Sequence, residues 1–292
     1  CSSDLKRFPK PGETLHINQA QKEFGGGKGA NQAIAASRLA ADTTFISKVG
    51  KDGNANFILE DFKKAGIHTQ YILTSESEET GQAFITVDEA GQNTILVYGG
   101  ANMTLSATDV EMSAEAFIGA DFVVAQLEVP FEAIEQAFKI ARKQNITTVL
   151  NPAPAIELPK SLLELTDIII PNETEAELLT GISINNESDM KETATYFLDL
   201  GISAVLITLG EQGTYCAYQE QYKMIPACNV KAIDTTAAGD TFIGAFLSEL
   251  NKDLSNLESA IRLANQASSL TVQRKGAQAS IPTRKEVEAE YN

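Results

Sequence analysis

Between Asp121 and Leu209 short apolar runs alternate with longer segments of helical period, and few folds accept that pattern. The runs are Phe122 to Leu127, Thr147 to Leu150, Ile168 to Ile170 and Ala204 to Leu209, and Phe131 to Gln144 is an amphipathic helix between the first two. Strands this apolar are buried on both faces, which requires a parallel sheet with helices on each side. The expected fold is therefore α/β: a doubly wound, mostly parallel sheet flanked by helices, with its site at the carboxyl ends of the strands. With 292 residues, 43% of them hydrophobic, the chain can bury one large core, and a single domain over 1–292 is expected. Leu15 to Phe24, Gln82 to Val87 and Asn93 to Tyr98 break the alternation as short strands, with a turn at Glu89 to Gln92. They predict a small separate sheet from about 12–24 and 82–98.

Chemistry concentrates near the C-terminus, at Ala232-Ile233-Asp234-Thr235-Thr236-Ala237-Ala238-Gly239-Asp240-Thr241-Phe242. A β-like segment ends at Ile233, very small residues follow, and helical period begins at Asp240. The first N–H groups of a helix lack internal partners and carry the positive end of its dipole, so small residues there leave an anion site open, usually for phosphate. Asp240 at that mouth either caps the helix or takes a proton from a hydroxyl attacking the phosphate. The local sequence leaves both open.

A second cluster, Phe24-Gly25-Gly26-Gly27-Lys28-Gly29-Ala30-Asn31-Gln32, precedes a helix over about Ala30 to Ala40. It fails as a dinucleotide fingerprint, because Gln21-Lys22-Glu23 is no buried strand, and as a Walker A loop, because Gly29 follows Lys28. It is either a tight turn or a loop whose backbone closely approaches a small polar ligand. Polar residues also stand where strands end. Glu128 is one; Asn172 with Glu175 suits a capping pattern; Thr208-Leu209-Gly210 ends a further strand.

The pair G-G-K-G-A-N (Gly26 to Asn31) and D-T-T-A-A-G-D (Asp234 to Asp240) resembles the two signatures of the ribokinase family of sugar and nucleoside kinases. The resemblance runs from Cys1 to about Pro282. It implies ATP-dependent phosphorylation of the 5-hydroxyl of D-ribose, with Asp240 as base and Ala237, Ala238 and Gly239 shaping the anion hole. Asp4, Gly27, Lys28, Asn31 and Glu128 would hold the sugar, with Asp240. Asn172, Thr208, Gly210, Gly239 and Asn265 would serve the nucleotide, and Glu175 the magnesium region. The helix Leu257 to Val272 has an alanine face (Ala260, Ala264, Ala267) that suits either a flat adenine or close helix packing. Arg274 to Ser280 resembles a monovalent-cation loop, which by position would use Asp234, Thr236, Thr271, Arg274, Gly276 and Ser280, mostly through carbonyls. The implied cofactors are ATP, Mg2+ and K+, and the small sheet would be a lid that pairs in a homodimer. Against this family the chain starts inside a motif that a buried strand precedes, so the resemblance implies a missing or truncated first strand. The stretches near Pro11 and Gly50 to Asn54 also read as short. Fructokinase-like or adenosine-kinase-like specificity and a non-catalytic sensor are the rival expectations.

A net charge of −16 opposes non-specific binding to nucleic acid or anionic membrane. No stretch approaches the roughly 20 apolar residues of a membrane span. Cys1 to Arg7 has no apolar signal region, and three cysteines without metal spacing (Cys1, Cys216, Cys228) suit a reducing cytoplasm, or also a nucleus in a eukaryote. With only His16 and His68, a histidine metal site has little to draw on.

Overall fold

The computed structural model describes residues 2–5, 7–10, 12–15, 19–21, 25–88 and 93–291. The chain runs through β1 (Ser2–Leu5), β2 (Gln19–Gln21), α1 (Lys28–Arg38), β3 (Ser47–Val49), α2 (Gly53–Ala65), β4 (Ile72–Thr74) and the hairpin β5 (Gln82–Asp88) and β6 (Asn93–Tyr98). Next come α3 (Ala107–Met112), β7 (Phe122–Ala125), α4 (Phe131–Lys143), β8 (Thr147–Leu150), α5 (Lys160–Leu163), β9 (Ile168–Ile169), α6 (Glu173–Thr180) and α7 (Glu187–Asp199). The last part is β10 (Ala204–Thr208), the hairpin β11 (Gly213–Tyr218) and β12 (Gln221–Pro226), then α8 (Ala238–Glu249), α9 (Leu257–Thr271) and α10 (Arg284–Tyr291).

The four apolar runs form the parallel part of a six-stranded sheet ordered β12-β11-β10-β9-β8-β7, with β11 and β12 antiparallel at one edge. Successive residues feed opposite cores. Val149, Ile168, Ala204, Leu206 and Cys216 pack on Phe242 and Phe246 of α8 and Ile261 and Ala264 of α9. Leu150, Ile169, Val205, Ile207 and Tyr215 pack on Ile134 and Phe138 of α4 and Phe197 of α7. That alternation, with both faces apolar, is why these strands show no polar stripe. A cavity of about 580 Å³ with mixed polar and apolar lining lies between β7 and the parallel pair β3–β4.

The separate small sheet has the order β2-β1-β5-β6. Residues 2–5, anticipated only as a sugar-binding segment, are a strand of this sheet, antiparallel to β2 and parallel to β5. Parts of the anticipated strand over 15–24 (residues 16–18 and 22–24) and the Glu89–Gln92 turn fall outside the described residues. The short Gly50–Asn54 stretch is closed rather than interrupted: Asp52 caps α2 through Ala55 N at 2.9 Å and accepts from Thr80 N at 2.7 Å and Thr80 Oγ1 at 2.9 Å.

Helices α1 and α8 cross closely because Gly244 has no side chain. A Cβ there would stand 2.4 Å from Ala35 Cβ and 2.6 Å from Ala36 N, and backbone cannot move aside. Gly244→Ala should therefore cost about 2 kcal/mol by overpacking, read as a Tm lower by several degrees. An unchanged Tm would mean the crossing is soft.

Candidate active site

The carboxyl ends of β8, β9 and β10 meet the N-terminus of α8 at a groove of about 480 Å³, lined by Lys28, Asn151, Asn172, Glu175, Thr208, Gly210, Asn265 and Ala237 to Asp240. The run of small residues makes the helix start unusual. Ala237 is the N-cap with φ 60° and ψ 12°, a left-handed conformation that costs a side chain of any size about 1 kcal/mol or more. Ala238 N–H donates to Thr235 O at 3.2 Å, and Ser268 Oγ of α9 holds Ala238 O at 2.9 Å. This trims the expected hole: the Ala238 N–H serves the turn, leaving those of Gly239 and Asp240, first-turn donors without a helical partner. Beside them, a Cβ on Gly239 would meet nothing within 4 Å.

Asp240 is not the cap, since Ala237 holds that position. Its carboxylate, 9% exposed, accepts from Asn31 Nδ2 at 2.9 Å on Oδ2 and Gln32 Nε2 at 3.1 Å on Oδ1. Burial pushes its pKa up, and these two amides and the Lys28 charge pull it partly back. Asn31 Oδ1 is buried with no partner among the described residues.

Gly27 opens α1 with φ 86° and ψ 137°, a region open to glycine alone, and this turns Lys28 N toward Glu128 Oε2 at 2.7 Å. Glu128 is thus no solvated loop charge. Burial raises its pKa, with Asp240 adding to the rise, while the Lys28 N–H and ammonium oppose it. Lys28 and Gly239 line the same groove. Asp4 has its backbone in β1, and its side chain lies outside the described residues.

Asn172 and Glu175 form the anticipated capping box: Glu175 N to Asn172 Oδ1 at 2.8 Å and Asn172 N to Glu175 Oε2 at 2.9 Å. Burial raises the Glu175 pKa, the Asp240 charge adds, and Asn172 N–H and Lys28 lower it. A raised carboxyl pKa means its charge opposes folding once pH exceeds the ordinary carboxylate range. Glu175→Gln keeps the cap without the charge, so it should raise Tm at pH 8, with the gain vanishing toward pH 4. A loss of Tm at pH 8 would show that the charge itself is needed for folding. Thr208 N and Oγ1 donate to Pro171 O at 2.9 and 3.4 Å, joining the ends of β9 and β10.

Asn265 reaches the groove with its amide already committed: Nδ2 to Ile225 O and Pro226 O at 3.2 and 3.1 Å, Oδ1 accepting from Thr214 Oγ1 at 3.1 Å. The alanine face of α9 is a packing surface and not an adenine platform, because Ala260, Ala264 and Ala267 are wholly buried against α8.

Asp234 joins two loops. Its Oδ1 accepts from Thr236 N and its Oδ2 from Gly276 N, each at 2.9 Å, and against the opposing effect of burial these hold its pKa below the usual range. Arg274 N donates to Thr271 O at 3.0 Å, and Ser280 N and Oγ donate to Ala277 O at 3.1 and 2.7 Å. The guanidinium of Arg274 pairs with Glu286 at 2.8 Å, so only its backbone is left for an ion. A charged carboxylate within a loop rich in carbonyls fits a large, weakly hydrated monovalent cation. Among the described residues no three His, Cys, Asp or Glu side chains cluster to hold a metal.

Gln32, Gln126 and Asn151 were not anticipated. The signal was present for Asn151, which directly follows the run Thr147 to Leu150, the feature that singled out Glu128 and Asn172. Gln126 lay inside the run expected to continue to Leu127 and follows β7 only in the structure.

The model of the pfkB family of carbohydrate kinases matches residues 1–284. The chain is 64% identical over 283 residues to the ribokinase of Staphylococcus aureus, covering 97% of this chain and 93% of that protein. It is 52% identical over 284 residues to a bifunctional ribokinase/ribose-5-phosphate isomerase A of Fructilactobacillus sanfranciscensis, covering 97% of this chain and 53% of that longer protein. Arabidopsis thaliana ribokinase, solved with ribose and ATP, superposes with a TM-score of 0.89 at 33% identity, covering 99% of this chain and 94% of that one.

Proposed function

The chain belongs to the pfkB family of carbohydrate kinases, and from that membership we propose that it transfers the terminal phosphoryl group of ATP to the 5-hydroxyl of D-ribose. The observation that carries the mechanism is the buried Asp240 carboxylate, held on both oxygens beside open helix N–H groups. The sugar 5-hydroxyl donates to Asp240 and attacks the terminal phosphorus. As that bond forms and the bond to the ADP oxygen breaks, the hydroxyl proton passes to the carboxylate, whose burial favours accepting it. The N–H groups of Gly239 and Asp240 and the α8 dipole meet the charge on the phosphoryl oxygens, with the Lys28 ammonium near them. Magnesium would arrive with ATP on the side of the groove where Glu175 stands, and would offset the repulsion between the phosphates.

Gly27, Lys28, Glu128 and Asp4 hold sugar hydroxyls, and the unpartnered Asn31 Oδ1 is an acceptor waiting for one. Asn172, Thr208, Gly210 and Asn265 form the nucleotide wall. Asp234, Thr236, Thr271, Arg274, Gly276 and Ser280 would hold potassium, which there would steady the turn that leads into α8. The β5–β6 hairpin, with Phe84, Leu96 and Tyr98 exposed on one face and Ile95 and Val97 on the other, pairs two copies into a homodimer that closes over the sugar. Light scattering tests the pairing: Leu96→Glu should yield monomers. Among the described residues no helix is long and apolar enough to cross a membrane, and free Cys216 and Cys228 suit the cytoplasm.

The deciding experiment measures ADP release from MgATP across D-ribose, D-fructose and adenosine, in potassium and then in sodium. Ribose-dependent turnover that rises with potassium supports the substrate and the cation loop. Preference for another acceptor moves the specificity, and absence of ATP turnover with all of them overturns the function in favour of a sensor.

A further inference from the structure

Asp240 has two hydrogen-bond partners on α1, and they differ in how firmly they are held. Amide nitrogen and oxygen look alike in shape, so each amide's orientation must come from its neighbours. Here it propagates from one group that can only accept. Asn151 Nδ2 faces the Ile170 carbonyl at 3.0 Å, so Asn151 turns its oxygen to Gln32. Gln32 Nε2 therefore faces Asn151 Oδ1 at 3.0 Å and Asp240 Oδ1 at 3.1 Å, and Gln32 Oε1 accepts from Gln126 Nε2 at 2.5 Å. Gln32 is 2% exposed and Asn151 7%. Gly29 leaves room for the relay, since a Cβ there would stand 2.8 Å from Gln126 Oε1. Asn31, by contrast, has a free Oδ1 and can turn its amide over.

Resting on the proposed Asp240 base, we propose that Gln32 is a positioning residue: locked through Asn151 to the Ile170 carbonyl, it keeps a donor on Asp240 Oδ1 and reserves Oδ2 for the incoming proton. A proton on Oδ1 would face an N–H that cannot turn away, whereas one on Oδ2 needs only Asn31 to flip. A donor aimed at the charged form lowers proton affinity and counters the burial of Asp240. The other charged groups acting at Asp240 are Lys28 of α1, Glu128 after β7 and Glu175 of α6, and none of them depends on the Gln32 amide.

The test is the pH profile of kcat for ribose-dependent ADP release in wild type, Gln32→Met, Asn151→Ala and the double variant, with ribose Kd by calorimetry. Gln32→Met should move the acid limb up by about one pH unit and lower the plateau about tenfold, with Kd within about threefold. Asn151→Ala should move the limb less, in the same direction, and add little to Gln32→Met, because both act through one hydrogen bond. If Gln32→Met does not fold, the limb of Asn151→Ala decides alone. An active wild type whose variants lose Tm but keep its acid limb overturns the inference alone, as do fully additive effects. A wild type that does not phosphorylate ribose overturns the functional proposal, and this inference with it.

Discussion

Asp240→Asn is expected to lower kcat by about 10³-fold while ribose affinity changes less than about threefold. The amide preserves the carboxylate's shape but has no affinity for the hydroxyl's proton. It also fits where it stands. Gln32 is locked as a donor toward Oδ1, so the new carbonyl settles there and the new NH₂ turns to Asn31, whose free Oδ1 can accept it. A charge that burial opposes disappears in the exchange, so Tm should not fall. Rapid-quench ADP formation with ribose titration calorimetry separates these effects. Turnover within a few fold of wild type would remove Asp240 from proton transfer, and joint loss of turnover and Tm would mean its role is to hold α1 on α8.

Gly239→Val should lower kcat/KM for ATP by about 10²- to 10³-fold, the scale of losing one oxyanion-type donor. The side chain grows into open groove, so folding has nothing to oppose it and Tm should stay within a few degrees. The space it fills is where a phosphate must come to reach the Gly239 and Asp240 N–H groups. Gly244→Ala, one turn further along the same helix, should show the reverse profile: lost stability first, with activity following the folded fraction. A Gly239→Val protein with normal ATP kinetics would place the phosphate elsewhere.

Much of this was legible from residue order because the causes are local. The four apolar runs announced strands buried on both faces, and each feeds two cores. Asn172 and Glu175 formed their capping box at the spacing their order implies. The change from small residues to helical period placed the start of α8 within two residues of Asp240. What was not legible depends on distant partners. Glu128 acts on the first turn of α1, one hundred residues away. Asn265, expected at a nucleotide, has its amide committed to the β11–β12 hairpin. The alanines of α9 allowed two uses, and only the neighbouring α8 chose between them.

Sequence alone determined the α/β class, the anion-ready start of α8 and the residue types available to the chemistry. Period, residue size and capping act within a few residues, and they survive in the linear order. Tertiary structure alone decided that Asp240 is a doubly held, buried carboxylate instead of a cap, that Gly244 lets α1 approach, and that Gln32 faces Asp240 through an orientation passed on from Ile170. Those outcomes need partners from α1, β8, β9 and α8 at hydrogen-bond distance. Only packing brings such separations together, and adjacency along the chain carries no record of them.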